Sequence, residues 1–151
     1  MTALFHVGVA VSDLTKSIRV FEDGFGFKLA SLRSVDHEYI GSLIGALGVS
    51  AEIAMLEIGD GTFLELISWK KSDESTSRVA EFDLSTTGTH HICIYVEDAS
   101  AIFSKLTNLS EVSLVNEAPM IIPIGPNTGC KVFFALVLDE VYVEVFEKVT
   151  R

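Results

Sequence analysis

Cysteine, proline and cationic side chains are scarce in these 151 residues, and each shortage removes a class of protein from consideration. The two cysteines, Cys93 and Cys130, cannot build a disulfide framework, and their separation matches no zinc-ligand spacing. Both are read as small core or pocket-lining residues. Eleven Lys and Arg stand against 21 Asp and Glu, a net charge of −10 with no local basic cluster, so a phosphate backbone would be repelled and nucleic acid is not an expected partner. No apolar run approaches the roughly 20 residues that span a bilayer. The longest, Ile92–Val96 and Val132–Leu138, are strand-sized, so no membrane partner is expected. The opening residues lack the basic and long apolar regions of a signal peptide, which makes the cytoplasm the expected location. All three prolines fall in one short stretch, Pro119 to Pro126, leaving the rest of the chain free to form regular elements.

What is present is an internal repeat. His6-Val-Gly-Val-Ala-Val-Ser-Asp13 reads against His91-Ile-Cys-Ile-Tyr-Val-Glu-Asp98, with an offset of 85 residues from His6 to His91. Further on, the segment from Ile53 to Ile67 reads against the segment from Val132 to Phe146, with an offset of 79 from Glu65 to Glu144. Self-similarity on this scale fixes architecture before local propensity does. The expected fold is α+β in a single domain, with two tandem βαβββ modules at 1–70 and 89–151 joined by a polar linker at 71–88.

Within the first module, alternation over about 4–11 predicts a strand with Val7, Val9 and Val11 facing a helix and His6, Gly8 and Ala10 facing away. Ser12 or Asp13 caps that helix, Leu14, Ile18 and Phe21 form its apolar stripe, and Gly24 ends it. A strand over 27–35, a loop over 36–51 and a hairpin of 52–59 with 62–69 across Asp60-Gly61 complete the module. The second module predicts a strand at 90–97, a helix capped by Asp98, a strand at 111–117, and a hairpin of 131–138 with 141–147. The linker is polar, with a short helix expected at 75–82. The stretch 125–129 reads either as a mobile loop at a cavity mouth or as an ordinary turn.

Alternation also selects the chemistry. His6 and His91 point away from their helices, and Glu65 and Glu144 share a strand face with Phe63 and Ile67, and with Tyr142 and Phe146. A carboxylate between apolar neighbours is costly to bury unless a cation pairs with it. One His and one Glu recur in register in each half, so coincidence must act twice to explain them. The four residues His6, Glu65, His91 and Glu144 suit one divalent ion, Zn, Ni, Co, Mn or Fe, with coordination positions left for water or substrate. Phe63, Cys93, Tyr95, Tyr142 and Phe146 line the pocket in the same reading and bind a small-molecule substrate. His90 turns to the other side of its strand from His91, and His37 carries no role.

These residues resemble the vicinal oxygen chelate superfamily, which includes glyoxalase I, methylmalonyl-CoA epimerase, extradiol dioxygenases and bleomycin-resistance proteins. The likeness rests on His6-Val-Gly-Val-Ala-Val-Ser-Asp-Leu with Ser17, Phe21 and Gly24-Phe-Gly26-Phe, on Phe63-Leu-Glu65-Leu-Ile, on Gly88-Thr-His-His91-Ile-Cys-Ile, and on Val143-Glu144-Val. It implies paired modules forming a U-shaped, partly closed sheet around a metal cavity, and a homodimer. It implies an isomerase, epimerase or lyase moving a proton beside a carbonyl through a metal-stabilised enediolate, with Glu144 or Glu65 as base and Glu144 slightly favoured. Glu52 and Glu57 are lesser candidates, read as solvent-facing. Ala10 stands where bacterial glyoxalase I has an arginine, which disfavours glutathione conjugates, and Leu138-Asp139-Glu140-Val141 departs from the family's usual Asp-Pro-Asp-Gly turn. The alternatives are a metal-free binding protein of the bleomycin-resistance type and an Fe(II) dioxygenase.

Overall fold

A computed structural model describes residues 4–36, 38–45, 48–59, 61–71, 84–85 and 88–148. The chain divides into two compact units, Met1–Arg78 and Val79–Arg151.

In the first unit, strand β1 (His6–Ala10) leads into helix α1 (Leu14–Phe25), followed by β2 (Lys28–Val35), α2 (Glu38–Ile44), β3 (Val49–Gly59) and β4 (Thr62–Lys71). Asp13 is the N-cap of α1, its carboxylate accepting the Lys16 N–H at 3.0 Å, and the buried Ser17 hydroxyl donates to Asp13 O at 2.8 Å. The helix does not stop at Gly24. Gly24 lies within it, and Gly26 ends it in the left-handed region at φ 78°, where its N–H reaches Glu22 O. The four strands run in the order β1-β4-β3-β2, with β1 parallel to β4 and the other pairs antiparallel. Helix α1 packs chiefly on β2, β3 and β4. Leu64 and Leu66, paired with Leu56 and Ala54, are fully buried on that face beside Phe21, each leucine contributing about 1.5–3 kcal/mol. Val11 is buried as expected, but Val7 is 37% exposed, because β1 lies at the sheet's end, beyond the strands that the helix mainly covers.

The expected loop at 36–51 contains α2, with Ile40 buried, and already includes the start of β3. Seven residues are too few for a clear helical period, so the pattern there was not readable. Asp60, His37 and the expected helix at 75–82 lie outside the described residues.

The second unit repeats the connectivity. It contains β5 (His91–Val96), α3 (Ala99–Leu106), β6 (Val112–Leu114), β7 (Met120–Ile121), β8 (Lys131–Val137) and β9 (Val141–Glu147), in the order β5-β9-β8-β6 with β7 also on β8. Asp98 caps α3 by accepting the Ala101 N–H at 3.0 Å. Helix α3 packs on β8 and β9, over the buried Phe133, Ala135, Val143 and Val145. The strand expected at 111–117 is shorter. It breaks at Leu114, where the Asn116 side chain takes over, accepting the Phe134 N–H at 2.9 Å. The 125–129 stretch is a hydrogen-bonded turn, with the Thr128 N–H and hydroxyl both donating to Gly125 O and the Gly129 N–H to Ile122 O. Both cysteines are free thiols, Cys130 buried and Cys93 exposed.

Candidate metal centre

Cross-strand register places the candidate residues on the sheet face opposite the helix in each unit. Residues directly opposite each other in a sheet share a face. In the first unit His6 lies opposite Phe63, and Gly8 opposite Glu65, which in turn lies opposite Met55. In the second unit His91 lies opposite Tyr142, Cys93 opposite Glu144, and Tyr95 opposite Phe146. The alternation read from the sequence therefore holds at all four ligand candidates and all five lining candidates.

The side chains meet in two pairs. His6 Nε2 is 3.3 Å from Glu65 Oε2, and His91 Nε2 is 3.0 Å from Glu144 Oε2. The carboxylates are mostly withdrawn from water, at 13% and 19% side-chain exposure, whereas the imidazoles are 33% and 43% exposed. One ring edge braces each histidine, Phe5 against His6 at 5.0 Å and Phe134 against His91 at 5.4 Å between centroids. His6 Nδ1 is buried with no hydrogen-bond partner among the described residues, so only Nε2 is engaged. Among the described residues, no three His, Cys, Asp or Glu side chains gather into a single metal-binding group.

The donor chemistry of each pair fits a divalent ion. Two ligands about 2.1 Å from one ion, at angles between square and tetrahedral, stand roughly 3.0–3.4 Å apart. Both pairs fall in that range, and each combines an imidazole nitrogen with a carboxylate oxygen. Gly8 leaves the Glu65 carboxylate its present place, since a Cβ at that position would lie 3.3 Å from Oε2 and shift it by a few tenths of an ångström. In the second unit Cys93 takes the corresponding place. The residue as a whole is exposed, but its thiol is partly desolvated against the sheet, and this, then the neighbouring Glu144 carboxylate and the hydrogen bond between them, pushes the thiol up to about 11, so it remains a neutral donor to Glu144.

Other candidates separate by face. Glu52 lies opposite Ser68, on the helix side of the sheet, and pairs with Lys70 at 2.9 Å. Glu57 is exposed as expected but lies opposite Phe63, on the same face as the His6–Glu65 pair. His90 precedes β5, is exposed, and bonds through Nδ1 to Gly88 O. Tyr95 is 68% exposed, with the Lys148 ammonium 4.0 Å above its ring centroid. Strand β2 also contributes to the first unit's face, through Lys28, Ser31 and Arg33, which sequence reasoning missed. The cause is a β-bulge at Ala30, between Leu29 and Ser31, which shifts the alternation by one residue. Counting in steps of two from Lys28 would have put Arg33 on the helix side.

Two βαβββ units, each with a His–Glu pair on the sheet face away from its helix, define a class of paired-module α+β proteins. The chain belongs to the glyoxalase/bleomycin resistance protein/dioxygenase superfamily, which it matches over residues 5–121. A glyoxalase family protein from Bacillus cereus has the same fold, with a TM-score of 0.84 at 20% identity, covering 99% of this chain and 96% of that one. The trypanothione-dependent glyoxalase I of Leishmania major aligns with a TM-score of 0.63 at 21% identity over 97% of this chain and 87% of its own. Glyoxalase I from Zea mays aligns with a TM-score of 0.63 at 19% identity over 97% of this chain and 45% of its own. No curated protein matches the sequence. Among the described residues, no helix is long and apolar enough to cross a membrane.

Proposed function

We propose that the protein is a metal-dependent isomerase, epimerase or lyase that moves a proton beside a carbonyl group. The observation that carries this reading is the duplicated His–Glu pair, His6 with Glu65 and His91 with Glu144, each at ligand-to-ligand spacing on a largely dry carboxylate. One divalent ion, Zn, Ni, Co, Mn or Fe, would be held by these four side chains and would supply Lewis acidity toward the substrate's carbonyl oxygen. Glu144 is favoured as the base that takes the proton from the adjacent carbon, because the Cys93 thiol donates to it and keeps it oriented. Glu65, the alternative base, faces the bare Gly8 backbone on β1. Phe63, Tyr142 and Phe146 exclude water beside the reacting carbon, with Cys93 and Tyr95 completing the wall. We further read the protein as a cytoplasmic homodimer acting on a small molecule.

Elemental analysis of protein purified without added metal tests this reading, run in parallel on His91→Ala. Near-stoichiometric metal that disappears in the variant is expected. Absence of metal from both would replace the enzyme with a binding protein of the bleomycin-resistance type. The dioxygenase alternative uses Fe(II) with two histidines and a single carboxylate, so the second glutamate counts against it.

A further inference from the structure

We propose that Arg33 is the specificity-determining residue of this site and that it selects substrates carrying an oxyanion, a carboxylate or a phosphate, beyond the reacting carbonyl. The inference rests on the metal-site reading for the position of the carbonyl, and on β2 for the rest. Three rows of residues cross the face of the first unit's sheet. His6, Phe63, Glu57 and Lys28 form one, Gly8, Glu65, Met55 and Ser31 the next, and Ala10, Ile67, Ile53 and Arg33 the third. Arg33 therefore lies two strands and two residues from Glu65, about 12 Å between Cα positions at ordinary strand spacing. A guanidinium leaning inward from there leaves room for a spacer of a few carbons.

Charge bookkeeping leaves Arg33 the one unpaired arginine among the described residues, with Lys105 also unpaired but on α3 rather than on this face. In a chain of net charge −10, most described cations are engaged: Lys16 with Asp13, Lys70 with Glu52, Lys131 with Glu147, and Lys148 with the Tyr95 ring. Lys28 has Glu57 directly opposite. Arg33 is exposed, lies opposite Ile53, and makes no ion pair or hydrogen bond among the described residues. The bulge at Ala30 is what turns it to this face, and bulges of that kind commonly re-aim a side chain beside a site. The repeat is broken at the same place. In the second unit the corresponding strand β6 offers only Ser113 to the face that carries His91 and Glu144, opposite Leu136, with Phe134 and Val132 further along. One unit thus presents an apolar wall and the other a planar, always-charged fork suited to bidentate oxyanion binding.

Calorimetric titration of the protein as isolated, with 2-oxoglutarate and with 2-oxopentanoate as probes, tests the inference. The two acids share the 2-oxo acid end, and only the first has a distal carboxylate. The wild type is expected to bind 2-oxoglutarate about ten-fold or more tightly than 2-oxopentanoate, as a charge-assisted bidentate contact requires. Arg33→Met should bring the ratio to about one while leaving metal content and circular dichroism unchanged, and Lys105→Met on α3 should leave the ratio intact. A wild-type ratio near one, no detectable binding of the diacid, or a preference that survives in Arg33→Met would overturn the proposal. Repeating the titrations after chelation separates the two readings. A preference that depends on Arg33, with the affinity of both acids unchanged by chelation, keeps this inference and removes the metal site. Binding that depends on chelation without any preference does the reverse.

Discussion

Gly8 has no side chain, and the Glu65 carboxylate uses the space. Its backbone lies outside the left-handed region, so alanine is tolerated there conformationally, and the whole effect of a substitution falls on the carboxylate 3.3 Å away. Gly8→Ala should shift the Glu65 carboxylate by a few tenths of an ångström against His6 and weaken the proposed metal binding about two- to three-fold, while a surface-like change in stability stays within about 0.5 kcal/mol. Competition against a chromophoric chelator measures the first quantity and thermal melting the second. Unchanged affinity would mean that the carboxylate moves freely and that the pair is not set by this contact. At this scale the sequence was largely legible. His6, Glu65, His91 and Glu144 stand where alternation put them, because strands β1, β4, β5 and β9 are regular over those residues. Arg33 was not legible, since one extra residue at Ala30 reverses the parity and no composition signal marks it.

Elements were readable where a cap or a turn residue had an unambiguous place. Asp98 caps as expected and Asp13 is the one of the expected pair, Ser12 or Asp13, that caps α1, whereas the stop expected at Gly24 falls at Gly26, where the backbone is left-handed. Helix α3 has a second anchor that local pattern cannot show. Glu147, at the end of β9 and 48 residues further along the chain, accepts the Ala99 N–H at 2.7 Å and pairs with Lys131 at 3.0 Å. The hydrogen bond from Ala99, then that from Lys131, hold the Glu147 carboxyl below its ordinary value. A carboxyl whose value is lowered on folding contributes stability above its unfolded value near 4.5, and that stability is lost as pH falls through the lower folded value. Glu147→Gln should accordingly lower the melting temperature by about 2–5 °C at pH 7. The gap between variant and wild type should close as melts are taken from pH 5 toward pH 3. A gap independent of pH would assign the loss to packing rather than to charge.

At the scale of the whole molecule, each unit holds one paired imidazole and carboxylate, half of the proposed four-ligand set. Two ligands from one unit leave most of an ion's coordination to water, so neither pair alone should retain metal through purification. If the pairs share one ion, the stoichiometry is one per chain, and His6→Ala should abolish it as completely as His91→Ala does. A chain carrying two ions, or single variants that each keep half the metal, would show the pairs to be independent. Because an ion bound only by the folded protein stabilises it by mass action, chelation should lower the melting temperature of the wild type and leave both variants where they are. The repeat foretold that each half would supply the same two residue types, since duplication copies strands and their faces together. Whether the two pairs serve one ion or two depends on their placement relative to each other, and no period within a single strand encodes that. Sedimentation of the chelated protein adds the remaining distinction. In the proposed homodimer, an ion shared between neighbouring chains would tie them together, so its removal should release monomers, whereas an ion held within one chain should leave the association intact.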